Sequence, residues 1–239
     1  MARVLVTHSY FYRLDQKQWK DARPYPPLGT LQAAAVLREA HEGRPGHDVA
    51  VHDLGLAHGP EELKPALDAH APTIVVIHDD GFNYLTKMCL TVMREACFAL
   101  IALAKARGCL VAVSSSDSTD HYADYLDRGA DAVILGESEQ TLRELTDRWA
   151  DGVPWLDVAG IAFRNGHEVE ANPKRPVLRD LDTLPLPAWD LIDVAPYRAI
   201  WKASQGYFSL NVATTRGCPF KCNWCAKPIY GNRYNSRSP

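Results

Sequence analysis

Residues 218–225 gather three cysteines, Cys218, Cys222 and Cys225, with three residues and then two between them. Thiolates are soft ligands, and such crowding is tolerated where iron or zinc takes up their charge. Three cysteines on a four-iron, four-sulfur cube leave one iron without a protein ligand. An open iron is what chemistry at the metal needs and what simple electron transfer does not. Two other readings stand beside this one. A three-cysteine loop is also half of a zinc site, with His167 or another distant residue as fourth ligand. Zinc sites more often pair Cys-x2-Cys knuckles, however, and the chain has no second pair. A disulfide would leave one of the three thiols over.

The surroundings of this loop are basic. From Arg216 to Pro239 there are five cations and no acid, so residues 1–215 carry a net −8 against −3 for the whole chain. That tail reads either as a solvated face or as a positive field around an anionic cluster. The overall charge gives no case for nucleic acid. With 239 residues, 46% hydrophobic and 23% charged, the chain has globular composition and enough length for one or two cores. No run reaches the length of a membrane span, and the strand-like N-terminus, Met1-Ala2-Arg3-Val4-Leu5-Val6, is too short for a signal peptide. Six cysteines without such a signal argue for a reducing compartment, and the expected location is cytoplasmic. Cys89, Cys97 and Cys109 fall in apolar stretches and need no role beyond that of small core hydrophobes.

The elements that must position the cysteine loop come in two groups. Aliphatic runs at 3–7, 48–53, 73–77, 109–113 and 132–135 predict five strands. Helical patterns at 30–42, 60–69, 84–107, 120–128 and 140–150 alternate with them. This predicts an α/β fold, a doubly wound five-stranded parallel sheet of the Rossmann or flavodoxin-like kind, in the order 2-1-3-4-5. Ligands in such sheets sit beyond the carboxyl ends of the strands. Here those ends are the loops 7–10, 78–83, 114–118 and 136–139. In the second group, Asn165-Gly166 predicts a hairpin between 161–164 and 167–170, and residues 175–196 read as a proline-rich linker. Tyr207 to Ala213 alternates as a strand that delivers the cysteine loop. The expected divisions are 1–150, 151–206 and 207–239.

The Cys-x3-Cys-x2-Cys run has Trp224 before its last cysteine, Thr214-Thr215-Arg216-Gly217 ahead of it, and Pro219-Phe220 inside it. It resembles the signature of the radical S-adenosylmethionine (SAM) enzymes. Pro26-Pro27-Leu28-Gly29, Gly46-His47-Asp48-Val49, Gly136-Glu137-Ser138-Glu139, Asp180-Leu181-Asp182 and Leu184-Pro185-Leu186-Pro187-Ala188-Trp189-Asp190 stand upstream in order. Together they extend the resemblance over essentially the whole chain, to the cobalamin-binding members of that family. The resemblance implies a 4Fe-4S cluster on Cys218, Cys222 and Cys225, SAM chelating the open iron, and Trp224 against the SAM adenine. It also implies cobalamin over the strand ends, touching His8, His78, Asp79, Gly81, Asn83, Ser114, Ser115, Ser116, Gly136 and Glu137. Plainer readings exist for some of these: a turn at Asp79-Asp80-Gly81, a helix cap at Ser114–Ser118, solvated cations at Arg216 and Lys221.

Two departures from the family pattern stand out. Ser114-Ser115-Ser116 replaces the usual Gly-Gly pair, and no Asp-x-His-x-x-Gly is present. The expectation is base-off cobalamin without a protein histidine on cobalt. The activity implied is radical methyl transfer to an unactivated carbon of a small-molecule or natural-product substrate, with electrons from an external donor such as flavodoxin or ferredoxin. The alternatives are a non-methylating rearrangement or cyclisation, and a non-catalytic cobalamin-binding module. Only fourteen residues follow Cys225, whereas each further strand–helix unit of a barrel takes about 30. The chain is therefore expected to end inside a truncated partial TIM barrel and not to complete a turnover by itself.

Overall fold

The computed structural model describes residues 1–79, 90–223, 230 and 233–238. Its centre is made of short aliphatic runs whose successive side chains point to opposite faces. β1 (Arg3–Thr7) leads through α1 (Gln16–Asp21) to α2 (Leu28–Arg38), β2 (Asp48–Val51), α3 (Lys64–His70) and β3 (Ile74–His78). α4 (Leu90–Lys105), β4 (Leu110–Ser114), α5 (Ser116–Asp120), α6 (Tyr122–Asp127), β5 (Ala132–Ile134) and α7 (Glu139–Asp151) follow. The five strands are parallel and neighbour one another in the order 2-1-3-4-5, as the sequence pattern predicts.

Alternation splits the core cleanly. Leu5, Val75, Ile77, Val111, Val113 and Val133 face α3, α4 and α6, where Leu67, Leu100, Ile101 and Leu126 meet them. Val4, Val6, Ile74, Val76, Ala112 and Ile134 face α2 and α7 on the other side, with Ala33, Ala34, Leu37, Leu142 and Leu145. Both faces are covered, which is why these strands read as unbroken apolar runs.

The sheet is wider than expected. The predicted hairpin forms as β6 (Ile161–Asn165) and β7 (Glu168–Ala171), but it is not part of a separate linker. β6 pairs antiparallel with β5, Val133 opposite Ala162, and the sheet has seven strands. The cause is the edge of β5, whose unpaired backbone groups would otherwise need another cover.

Two further differences follow. α8 (Ala195–Gln205) stands at the end of the stretch read as linker, with Pro196 in its first turn and Gly206 closing it. Its Tyr197 and Trp201 are buried, and Trp201 Nε1 donates to the Pro24 carbonyl at 2.7 Å. The expected strand at 207–213 does not form. Its alternation is inverted: Asn211 is buried and reaches the Pro26 carbonyl, while Leu210 and Val212 are exposed. β8 (Thr215–Gly217) and β9 (Tyr234–Ser236) instead make a small antiparallel ladder beside the main sheet. No helix among the described residues is long and apolar enough to cross a membrane.

Ile101 is fully buried between α4 and the sheet. Ile101→Ala is expected to lower stability by about 2–5 kcal/mol, read from the midpoint of urea unfolding with the slope unchanged.

Candidate cofactor site at the carboxyl rim of the sheet

The strand ends that the topology brings together are those of β1, β3, β4 and β5. The strand order reverses between β1 and β3, the place where open α/β sheets leave a crevice. Here Asp79 clamps Ser9: Ser9 N donates to one carboxylate oxygen at 2.6 Å and Ser9 Oγ to the other at 2.7 Å. Asp79 N donates to the Ser114 carbonyl at 2.9 Å. The His78 carbonyl accepts from Thr30 Oγ1 at 2.7 Å, and its Nε2 lies 2.8 Å from Ser138 Oγ. Gly81 and Asn83 lie outside the described residues.

His8, next to Ser9, is fully buried. Its Nε2 lies 2.9 Å from Asp53 Oδ1, which also accepts from Gly55 N at 2.8 Å. The hydroxyl of Tyr197, from α8, donates to Asp53 Oδ2 at 2.8 Å. A side chain at position 55 would collide with that hydroxyl, so the approach requires glycine. Burial alone would raise the Asp53 pKa, but His8, Gly55 and Tyr197 outweigh it and hold the carboxyl below the usual range. Burial, and then Asp53, push the Tyr197 phenol well up. The remaining nitrogen of His8, Nδ1, is buried with no hydrogen-bond partner.

The serine run caps a helix, as its plainer reading proposed, but a short one of its own, α5, and not the helix expected from Asp120 onward. Ser114 ends β4. Ser115 caps α5 reciprocally with Ser118, Ser118 N donating to Ser115 Oγ at 2.8 Å and Ser115 N to Ser118 Oγ at 2.9 Å. Ser116 is the first residue of that helix.

After β5 the chain turns at Gly136, with φ at 87°, and presents Glu137 and Glu139. Both carboxylates hold one guanidinium: Arg216 Nη1 donates to Glu137 Oε1 at 2.7 Å and Nη2 to Glu139 Oε1 at 2.5 Å. Glu137 also accepts from the Leu178 N–H. All three side chains are largely buried, Arg216 at 15% exposure and the glutamates at 8% and 7%. Arg216 is therefore neither a solvated cation nor a free source of positive field, as the sequence left open. Burial and the neighbouring Glu139 charge keep the Glu137 pKa raised, whereas at Glu139 Arg216 outweighs burial and lowers it. Gly217 follows at φ 80°, where a Cβ would meet the Arg233 carbonyl oxygen across the β8–β9 ladder.

This pins the start of the cysteine loop. Cys218 is half-buried and Cys222 exposed, neither in a disulfide. Trp224 and Cys225 lie outside the described residues. Among the described residues no group of three or more histidine, cysteine or acidic side chains is arranged to hold a metal. The zinc alternative through His167 is not supported. His167 sits in the β6–β7 turn, and the pairing of Ala132 with Phe163 and Ile134 with Ile161 sends that turn toward the amino ends of the strands. Arg216 and Cys218 belong to the opposite rim. Sequence reasoning missed Asp53, Tyr197 and Glu139. The spacing of Tyr197, Ile200 and Trp201 after Pro196, with Gly206 beyond, was a legible helix signal.

No protein-family model matches the chain. An uncharacterized methyltransferase of Synechocystis is 30% identical over 215 residues, 90% of this chain and 32% of that protein. The anaerobic magnesium-protoporphyrin IX monomethyl ester cyclase of the same organism is 27% identical over 219 residues, covering 90% of this chain and 40% of the cyclase. The chain thus spans well under half the length of these curated relatives. Among solved structures, the cobalamin-dependent S-adenosylmethionine radical enzyme OxsB, with aqua-cobalamin and S-adenosylmethionine bound, superposes with a TM-score of 0.69 at 17% identity over 98% of this chain and 29% of its own. The radical S-adenosylmethionine methyltransferase TsrM of Kitasatospora setae gives 0.64 at 19% identity over 99% of this chain and 43% of its own.

The chain has the fold of the matching parts of these two enzymes. The resemblance carried by the cysteine motif and the upstream phrases is thus matched by the backbone. The likeness to the two solved enzymes extends past the sheet through α8 to the β8–β9 ladder.

Because the Asp53 pKa is lowered on folding, the stability it contributes is complete above the unfolded value, near pH 4, and drains as pH falls below it. Asp53→Asn is expected to flatten the acid limb of stability between about pH 5 and pH 3, measured by urea unfolding at each pH. At neutral pH Asp53→Ala is expected to cost about 3–5 kcal/mol by stranding His8 and Tyr197.

Proposed function

We propose that the chain is the N-terminal part of a cobalamin-dependent radical SAM enzyme, and that the whole protein is a methyltransferase acting on an unactivated carbon. The observation that carries this reading is the docking of the Thr-x-Arg-Gly-Cys segment, through Arg216, onto the strand-end rim where open α/β sheets take their ligands. Residues 1–150, widened by the hairpin, serve as the cobalamin domain in this proposal, and residues 207–239 open the catalytic one.

The donors fit the two groups. Cys218 and Cys222 offer soft thiolates within reach of solvent, and Cys225 supplies the third. At the rim, the buried and unpartnered Nδ1 of His8 is an atom suited to a polar ligand. His8, His78, Asp79, Gly81, Asn83, Ser114, Ser115, Ser116, Gly136 and Glu137 would surround the cobalamin, and Trp224 would lie on the SAM adenine. When bound, the cluster with SAM supplies a radical for hydrogen abstraction and cobalamin supplies a methyl group; the protein supplies position. Asp79 holds the β1 and β3 ends together, Asp53 orients His8 through Nε2, and Arg216 fixes where the cysteine loop leaves the sheet. A small-molecule substrate and an external electron donor such as flavodoxin or ferredoxin complete the proposal.

The cyclase relative favours a second reading, in which the same architecture closes a ring without methylating. The two are separated by product mass in the whole protein supplied with methyl-labelled SAM: label in the product supports methyl transfer, unlabelled product the rearrangement.

For the chain itself, anaerobic reconstitution with iron and sulfide is expected to give the absorption and EPR of a 4Fe-4S cluster, lost in Cys218→Ala, Cys222→Ala and Cys225→Ala. Zinc without iron in metal analysis would favour the non-catalytic module. Hydroxocobalamin titration is expected to shift the visible spectrum, and a flat response would remove the cobalamin half of the proposal.

A further inference from the structure

We infer that Arg216 is a positioning residue that couples the two cofactor sites, so that filling the sheet rim and assembling the cysteine loop each favour the other. The inference rests on the proposed cofactors and goes beyond them to how one site senses the other.

A continuous set of contacts runs from the cysteine loop to the centre of the rim. Arg216, two residues before Cys218, holds Glu137 and Glu139. Between those two glutamates stands Ser138, whose hydroxyl lies 2.8 Å from His78 Nε2. His78 is the register partner of Ser114 at the ends of β3 and β4. The next residue, Asp79, clamps Ser9 beyond β1 through both carboxylate oxygens. Four strand ends and the root of the cysteine loop are thus linked by short polar contacts between largely buried groups.

These groups have few halfway positions. A guanidinium meets two carboxylates in a fixed fork geometry, and it meets these two only while Thr215–Gly217 is docked. If the segment leaves, two buried carboxylates lose their counter-charge. Glu139 keeps one carboxylate oxygen, Oε2, buried and unpartnered even when docked, so Arg216 is its sole ion-pair partner among the described residues. Docked loop and ordered rim are then one state. A ligand that selects either half stabilises the other, and the effect is reciprocal.

The measurement is the hydroxocobalamin affinity of the chain, by visible titration under anaerobic conditions, with and without the reconstituted cluster. Cluster-loaded wild type is expected to bind more tightly by a factor of about 5–150, the usual span of such couplings. In Arg216→Gln and Glu139→Gln the ratio is expected to fall to one, while Arg216→Lys restores it only in part. The reciprocal readout is cluster loss to a chelator, slowed by cobalamin in wild type and unaffected by it in the variants. Wild type that binds both groups with a ratio of one overturns the coupling and leaves the cofactor proposal standing. Folded variants that keep the wild-type ratio overturn the role of Arg216. Failure to bind cobalamin at all overturns both.

Discussion

One buried arginine fixes where the segment that leads into the cysteine loop leaves the sheet. Removing a guanidinium and two carboxylates from water costs several kcal/mol per ion. The arrangement persists because the fork of Arg216 gives each glutamate one charged donor, and Glu137 is held from behind by the Leu178 N–H. Segments far apart in sequence are thereby fixed together: the turn after β5, the extended chain near Leu178 and the root of the cysteine loop. Asn235 adds a contact to the Leu178 carbonyl, and Arg237 adds contacts to the carbonyls of Leu184 and Pro185. The β8–β9 ladder is too short to stand alone. It owes its place to these ties.

The rim is already organised before any ligand is considered. Asp79 and Ser115 each sit at a strand end where a ligand group was expected, and each, like Asp53 beyond β2, holds a neighbouring backbone or side chain. Such rigidity would lower the entropy lost in binding the large flat ligand proposed for this rim. It also explains why replacing a glycine pair by Ser114-Ser115-Ser116 is tolerated locally, since Ser115 and Ser118 satisfy each other at the start of α5.

The sheet was legible because its strands obey one strong rule. Continuous β-branched and aliphatic runs between helical stretches leave few topologies, and Asn165-Gly166 marks its hairpin by turn chemistry alone. Where the hairpin docks was not legible, because the exposed edge of either β2 or β5 could satisfy its backbone. Residues 207–213 misled for a related reason. Period-two alternation signals a strand only when a neighbour supplies hydrogen bonds. Here Asn211 finds the Pro26 carbonyl, and the apolar residues turn outward. Arg216 was ambiguous for a third reason: a lone cation in sequence carries no sign of carboxylates some eighty residues away. Of the site, the motif cysteines and the strand-end loops could be named in advance. The Asp53–His8–Tyr197 set could not, since it depends on a helix read as linker.

The choice of arginine at position 216 follows from this geometry. A lysine ammonium is a point charge on a flexible stem and would satisfy Glu137 or Glu139 with little directional preference. Two carboxylates flanking one serine demand a donor with two parallel edges, which the guanidinium alone provides. The glycine that follows has its own cause, the close passage of the Arg233 carbonyl at a positive φ. Arg-Gly before the first cysteine is therefore two separate solutions to one problem. The arginine sets the direction in which the chain leaves the sheet, and the glycine lets it turn into the cysteine loop without losing the ladder. Any group carried on that loop inherits its position from the carboxyl end of β5.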